Sequence, residues 1–501
     1  MKKIHLIFAL LLTLALSAGC AADPAENPTP AGSAEIRFTD GKVTAAATDG
    51  ITIDGTTLTV TGAGTYLLSG SCADGRVKVE KGVRGVTLVL NGLALTCENS
   101  APILCGKGSE VTIEAAAGTE NTLSDTAANH DETGSADAEN AVIKCKDGSR
   151  VVLCGTGALT LRANGKNGIK SGSTTQDGEA SLTIRDLTLT IDAPVNDAIN
   201  AEAALTVESG TLTLSAGDDA LHCDYTLNIG AAGTDGPRIT VTSCYEGLEG
   251  AAVNICSGSI DIHSADDCIN AANADLTGFS CQLNISGGTV TARSDSGDGF
   301  DSNGDLTISG GNVTVWTANA ADNEPLDADG TVTVSGGTVL AAGGMGMSLA
   351  AAQPCVIFTG SGAAGGMNMP GPGALGGASL LTQGTAFTVA SADGIVLYSG
   401  EAVYNASFLF FSSGDLSDGE SDTLSAGEAQ TVSAAQTGTV RTGMGSRGDG
   451  NIGGMGGMGG QRPDGNAPPS GGFNGQRPDG ATPPEKPTGT PPQTDPGGTT
   501  A

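Results

Sequence analysis

The chain has 501 residues, 78 of them glycine, only 3% aromatic side chains, and a net charge of −32 at pH 7. Nucleic acid and anionic membrane surfaces would be repelled by that charge, so neither is an expected partner. An acidic ligand would need metal ions or locally placed Lys and Arg to mediate its contact, and outside a cell the available hard cation is Ca²⁺.

In chain order, the first element is an export signal. Lys2 and Lys3 precede an apolar run from Leu6 to Leu16, and Ser17-Ala18-Gly19-Cys20 follows. This pattern reads as a signal peptide over residues 1–20 ending in a lipobox, with Cys20 the lipidated residue. The expected location is therefore the extracellular face of the cell envelope, with a lipid anchor. No other stretch approaches the ~20 apolar residues of a membrane span. Residues 21–34 read as a linker lifting the domain off the membrane.

Residues 35–345 carry an internal repeat. Its units are KNGIK (166–170), NDAIN (196–200), DDALH (218–222), YEGLE (245–249), DDCIN (266–270), GDGFD (297–301) and NEPLD (323–327). The apolar fourth positions are Ile169, Ile199, Leu221, Leu248, Ile269, Phe300 and Leu326, between 21 and 31 residues apart. Between the units lie alternating runs broken by Ser-Gly or Gly-Gly, such as LTVESGTLTL (205–214) and LTISGGNVTV (306–315). Period-2 alternation of Leu, Val, Ile and Thr bounded by glycine means short strands. Three strands and three corners in roughly 22 residues make one turn of a parallel β-helix. The nonapeptide Ca²⁺ β-roll has a different period, and a sandwich would not keep this register.

The polar stretch 124–140 interrupts the early coils as a surface loop, expected to be solvated and disordered. Residues 346–377 read as a Gly/Met/Pro connector. Residues 378–432 hold apolar strand-like pieces and are expected to cap the solenoid, whose open end would otherwise expose strand edges. The segment 438–501 is rich in Gly and Pro and is expected to be a disordered tail. The fold class is all-β: a parallel β-helix with a small β cap. Of the twelve cysteines, Cys20 is spoken for and the other eleven show no CxxC pair, so buried thiols are expected rather than a disulfide framework.

Asp266–Asp267 looks at first like a catalytic pair. However, Asp267 occupies the coil position of Asn167, Asp197, Asp219, Glu246, Asp298 and Glu324, and Asp266 that of Asn196 and Asp218. A feature that recurs along an edge is no single active site. Two or three residues further on, the chain offers Asn200, His222, Glu249, Asn270, Asp301 and Asp327. Carboxylates stacked ~5 Å apart repel by about 3 kcal/mol at an effective dielectric of ~20. Raised pKa values, side chains splayed into water, or bound cations would relieve this. Hard oxygens on adjacent coils suit the six to eight ligands of Ca²⁺. The candidate metal ligands are Asp197, Asp218, Asp219, Glu246, Glu249, Asp266, Asp267, Asp298, Asp301, Glu324 and Asp327. The alternative is a ladder of side chains that only hydrogen-bond the backbone of the corners.

The units, together with GTYLLSGS (64–71), VTLVLNGLAL (86–95), GTENTLSD (118–125) and GKNGIKSG (165–172), resemble a bacterial carbohydrate-binding-domain family. The likeness covers roughly residues 35–430. It implies a right-handed, pectate-lyase-like β-helix that binds plant polysaccharide, including acidic pectic chains, with calcium and without cleavage. The expected function is thus calcium-dependent, non-catalytic binding of acidic polysaccharide at the cell surface by a monomer. Trp316, Tyr245, Lys170 and Arg293 are candidate saccharide contacts.

Two other readings stay open: a polysaccharide lyase or glycoside hydrolase on the same scaffold, and a structural stalk or adhesin. Against the first, no Gly-His-Gly or Arg-x-Lys segment follows DDCIN, and no second basic residue stands beside Lys166, Lys170, Arg238 or Arg293 in the manner of a lyase site. His222 and His263 are read as turn residues.

Overall fold

The computed structural model describes residues 33–441, apart from 48, 133, 176–178, 274, 275, 277, 319–322, 345 and 361–378. The expected leader, Cys20 and nearly all of the expected tail lie outside the described residues. No helix among the described residues is long and apolar enough to cross a membrane.

Three stacks of parallel strands wind into a β-solenoid. Its inward rows are ladders of aliphatic side chains. In one stack Leu205, Leu227, Val253, Leu283, Leu306 and Val332 pair successively from coil to coil. In a second, Leu189, Leu212, Ile239, Ile260, Val290, Val313 and Val339 do the same. The third contains the repeat: Ile169 pairs with Ile199, then Leu221, Leu248, Ile269, Phe300 and Leu326. Extended back, this row begins at Leu58, Val77, Ile103 and Ile143. Alternation puts these residues inside: Thr188–Ala193 is exposed and buried by turns. Each buried Leu, Ile or Val contributes about 1.5–3 kcal/mol relative to exposure.

The corners explain the glycines. Gly311 and Gly337 turn the chain at φ +88° and +81°, a left-handed backbone that L side chains rarely adopt. A Cβ on Gly311 would stand 2.8 Å from the Gly288 carbonyl oxygen, and one on Gly337 would collide with that of Gly311. Coil stacking at the strand spacing of ~4.8 Å leaves no room for it.

Both ends are closed by antiparallel pairing. At the start, Ser33–Thr39 pairs Lys42–Ala45 and Ile51–Asp54 pairs Thr57–Val60. At the far end, Phe408–Ser412 lies antiparallel to both Thr338–Gly343 and Ser348–Thr359. A four-stranded antiparallel sheet, ordered Val396–Glu401, Ala386–Ala390, Ser421–Ala426, Ala429–Ala434, completes the cap. Its core packs Phe387, Leu409 and Phe411 with Trp316, Leu340 and Phe358 of the last coils.

Three sequence expectations change. Ser348–Thr359 is a strand inside the segment read as a connector. Pro354 falls where its pairing with Gln436–Arg441 shifts register, between Ala351 and Cys355, which is how a strand accommodates proline. Gln436–Arg441 itself runs into the expected tail, with Val440 buried against the last coil. The described residues of the 124–140 loop are pinned to the coils: Asn129 is buried, donating to Asp125 Oδ2 (2.8 Å) and the Ala141 carbonyl (3.0 Å). All eleven cysteines among the described residues are free thiols, most of them buried.

Candidate functional site: an acidic edge along the solenoid

The third stack positions the site. Backbone N–H groups of each unit bond carbonyls of the next: Ala198 to Asp219, Gly247 to Asp267, Cys268 to Asp298 and Gly299 to Glu324. This fixes two polar rows beside the apolar rungs. Asp197, Asp219, Glu246, Asp267, Asp298 and Glu324 precede the rungs; Asn200, His222, Glu249, Asn270, Asp301 and Asp327 follow them.

Part of the first row satisfies the corners. Asp197 Oδ1 accepts the Asp219 amide (3.2 Å), Asp267 Oδ1 that of Asp298 (2.6 Å), and Asp298 Oδ1 that of Glu324 (2.6 Å). Side-chain amides bridge the rows, Asn200 to Asp197 (2.6 Å) and Asn270 to Glu246 (3.2 Å). These bonds leave lone pairs over. Three clusters gather ligand atoms within 4.8 Å of one another: Asp197–Asp218–Asp219, Asp219–His222–Glu249 and Asp298–Asp301–Asp327. Glu246, Asp266, Asp267 and Glu324 share the edge but belong to no such cluster among the described residues. Gly297 gives Asp266 and Asp267 their space, since a Cβ there would run into both carboxylates.

Electrostatics shows the strain. Burial, reinforced by neighbouring carboxylates, raises Asp267 and Asp298 to about 8, against the amide bonds that oppose the rise. Burial and Asp327 raise Asp301 to about 6 and Glu324 to about 7. Burial and Glu249 raise Glu246 to about 7. Asp197 and Asp219 are raised by burial as well. Burial opposes a charge on His222, but hydrogen bonds to Asp219, Asp224 and Glu249 outweigh it and push its pKa far up.

The donor set fits a divalent cation. It is rich in hard oxygen, it lies on adjacent coils, and Asp219 Oδ1 is buried with no hydrogen-bond partner. Such an orphan costs about 1–3 kcal/mol, and more when charged.

The proposed saccharide contacts fare unevenly. Trp316 is 2% exposed, its ring 5.9 Å from that of Phe387. It joins cap to solenoid and offers no face to a sugar. An alternating strand gave no sign that the cap would cover it. Tyr245 is exposed beside the edge. Lys170 is tied to Asn200 (3.2 Å) and Glu202 (3.1 Å), and Arg293 to Asp261 (2.6 Å). Sequence reasoning passed over His222 as a ligand, although its place in the second row was visible. It also passed over a groove of about 740 Å³ near the start of the solenoid, lined by Arg76, Lys78, Lys81, Lys107 and Lys146 with Glu80 and Glu139.

A family model described as carbohydrate-binding domain-containing protein matches residues 54–347. A carbohydrate-binding domain-containing protein of Acetivibrio thermocellus is 32% identical over 189 residues, which is 37% of this chain and 65% of the relative. The matched part thus spans a little under two thirds of that relative's length. Among solved structures, a gadolinium derivative of the polysaccharide lyase-like protein from C. thermocellum is 26% identical, covering 61% of this chain and 93% of that one, with a TM-score of 0.32. With the family model spanning most of the solenoid, the chain belongs to the carbohydrate-binding domain-containing family.

Proposed function

We propose that this protein binds acidic polysaccharide of the polygalacturonate kind outside the cell, without cleaving it, through Ca²⁺ held on the acidic edge. The observation that carries this reading is the cluster Asp298–Asp301–Asp327, set in a row of carboxylates whose pKa values are raised by burial and mutual repulsion. A cation relieves that repulsion, and its remaining coordination positions suit the carboxylates of a uronate chain. Asp298, Asp301 and Asp327 would hold the ion, with Asp197, Asp218 and Asp219 a second candidate set. Lys78, exposed on the outward row of the first coils, supplies direct attraction for the same anionic chain.

Binding without cleavage follows from the repetition of the carboxylates and from the side chains that could act as bases. Lys170 and Arg293 are engaged with acidic and amide partners, and no single carboxylate pair is set apart from the rest of the row. Export through residues 1–20, a lipid anchor at Cys20 and a monomeric state complete the proposal.

Affinity electrophoresis in polygalacturonate tests it. Retardation with Ca²⁺, abolished by chelator, is expected, with no rise in absorbance at 235 nm on pectate. Binding that is absent or indifferent to calcium overturns the reading.

A further inference from the structure

Between the rungs at Leu221 and Leu248 the edge changes chemistry, because it carries an imidazole. His222 pairs with Glu249 of the next coil. Its Nδ1 lies 2.6 Å from Glu249 Oε2 and 3.1 Å from Asp219 Oδ2, while Nε2 lies 3.0 Å from Asp224 Oδ1. A ring nitrogen carries at most one hydrogen, yet two carboxylate oxygens converge on Nδ1. With Nε2–H donated to Asp224, Nδ1 presents a lone pair to two anionic oxygens, an arrangement that only a proton or a metal ion between them relieves. A metal-bound histidine ordinarily donates its other N–H to a carboxylate in this manner.

A second observation points the same way. Asp219 is 3% exposed, and its Oδ1 is buried with no hydrogen-bond partner. The same carboxylate also belongs to the buried trio with Asp197 and Asp218.

We propose that Asp219, His222 and Glu249 form a transition-metal site of the zinc class, with Asp224 positioning the imidazole. Donor atoms 2.6–3.1 Å apart around Nδ1 sit a few tenths of an ångström inside the ~3.3 Å that separates the ligands of a tetrahedral ion with bonds of ~2.0 Å, so a small spreading of the two carboxylates admits the ion. Calcium takes oxygen ligands, whereas an imidazole nitrogen favours Zn, Cu, Fe and Ni. The competing arrangement is a protonated His222 bonded to its three carboxylates with no metal. The calcium reading rests on Asp298, Asp301 and Asp327, and only its second candidate set shares Asp219 with this site.

The test titrates the full chain with Co²⁺ in excess Ca²⁺, following the visible absorption bands. One Co²⁺ per chain with nitrogen ligation is expected, displaced by Zn²⁺ and not by Ca²⁺. His222→Gln should remove the bands, His263→Gln should leave them, and Asp224→Asn should weaken binding about 10- to 100-fold. Should His222→Gln fail to fold, Asp224→Asn decides alone. Absent binding in the unaltered chain overturns the proposal. So does displacement by Ca²⁺, or an unchanged affinity in Asp224→Asn or in a folded His222→Gln.

Discussion

The first and the later coils of the solenoid share one interior and differ at one corner. The rungs Val77, Ile103 and Ile143 continue into Ile169, Ile199 and Leu221 without a break. Two residues before the early rungs stand Gly75, Ala101 and Ala141; before the later ones stand Asp197, Asp219, Glu246, Asp267, Asp298 and Glu324. One residue after, the early coils carry Lys78, Leu104 and Lys144, where the later coils end in Asp301 and Asp327. The scaffold is thus held from inside, by a ladder indifferent to what the corner carries. The corner is free to hold charge, basic at one end of the row and acidic at the other.

If that division is right, the largest effects belong to the shared interior. Ile103→Ala and Ile269→Ala, one in each region, should each cost about 2–5 kcal/mol in chemical denaturation. A far smaller loss in one region would show that the ladder does not carry both alike.

The next effect separates the regions. With Ca²⁺ at a hundred times its dissociation constant, the folded chain should gain about 2.7 kcal/mol over the chelated one. The triple variant Asp298→Asn, Asp301→Asn, Asp327→Asn should lose that gain. In chelator it should melt above the unaltered chain at pH 8, because the amides keep acceptors for the corner bonds and drop the repulsion. A triple variant that melts lower in chelator would count against repulsion at this corner.

Acidity gives a third, smaller contrast. Asp267 and Asp298 titrate near 8 in the fold and at the ordinary value of about 4 when unfolded. Between those values the folded state binds more protons, so stability is greatest below the unfolded value and falls as pH rises toward 8. Thermal melts of the chelated chain from pH 5 to 8 should show this decline, flattened by Ca²⁺. A rise in stability with pH would contradict it. Smallest of all, Lys78→Ala in the early region, where the side chain is exposed, should change stability by no more than about 0.5 kcal/mol, while weakening retention on polygalacturonate.

Much of this was legible in the chain itself. The rungs from Ile169 to Leu326 stack as their spacing indicated, because a solenoid writes its geometry as a repeat and each inward position must be apolar. The acidic rows were legible for the same reason. What escaped was whatever depended on contacts outside the repeat. Trp316 sits in an alternating strand, and only the cap folding over it makes it buried. Ser348–Thr359 breaks its alternation with four residues from Ala350 to Gln353 followed by Pro354, and was read as a connector. His222 carries the right residue type in the right row, and Asp224 follows it two residues on along the same outward face, but Asp224 belongs to neither repeating acidic row and so had no place in the pattern.

Calorimetric titration of Ca²⁺ into the chelator-stripped chain at pH 7, in buffers of different ionisation enthalpy, addresses the central claim most directly. A saturable heat that varies with buffer is predicted, because carboxylates raised to about 8 release protons as the ion binds, and the Asp298, Asp301, Asp327 triple variant should lose most of it. No saturable heat, or the same heat in the triple variant, would contradict the account.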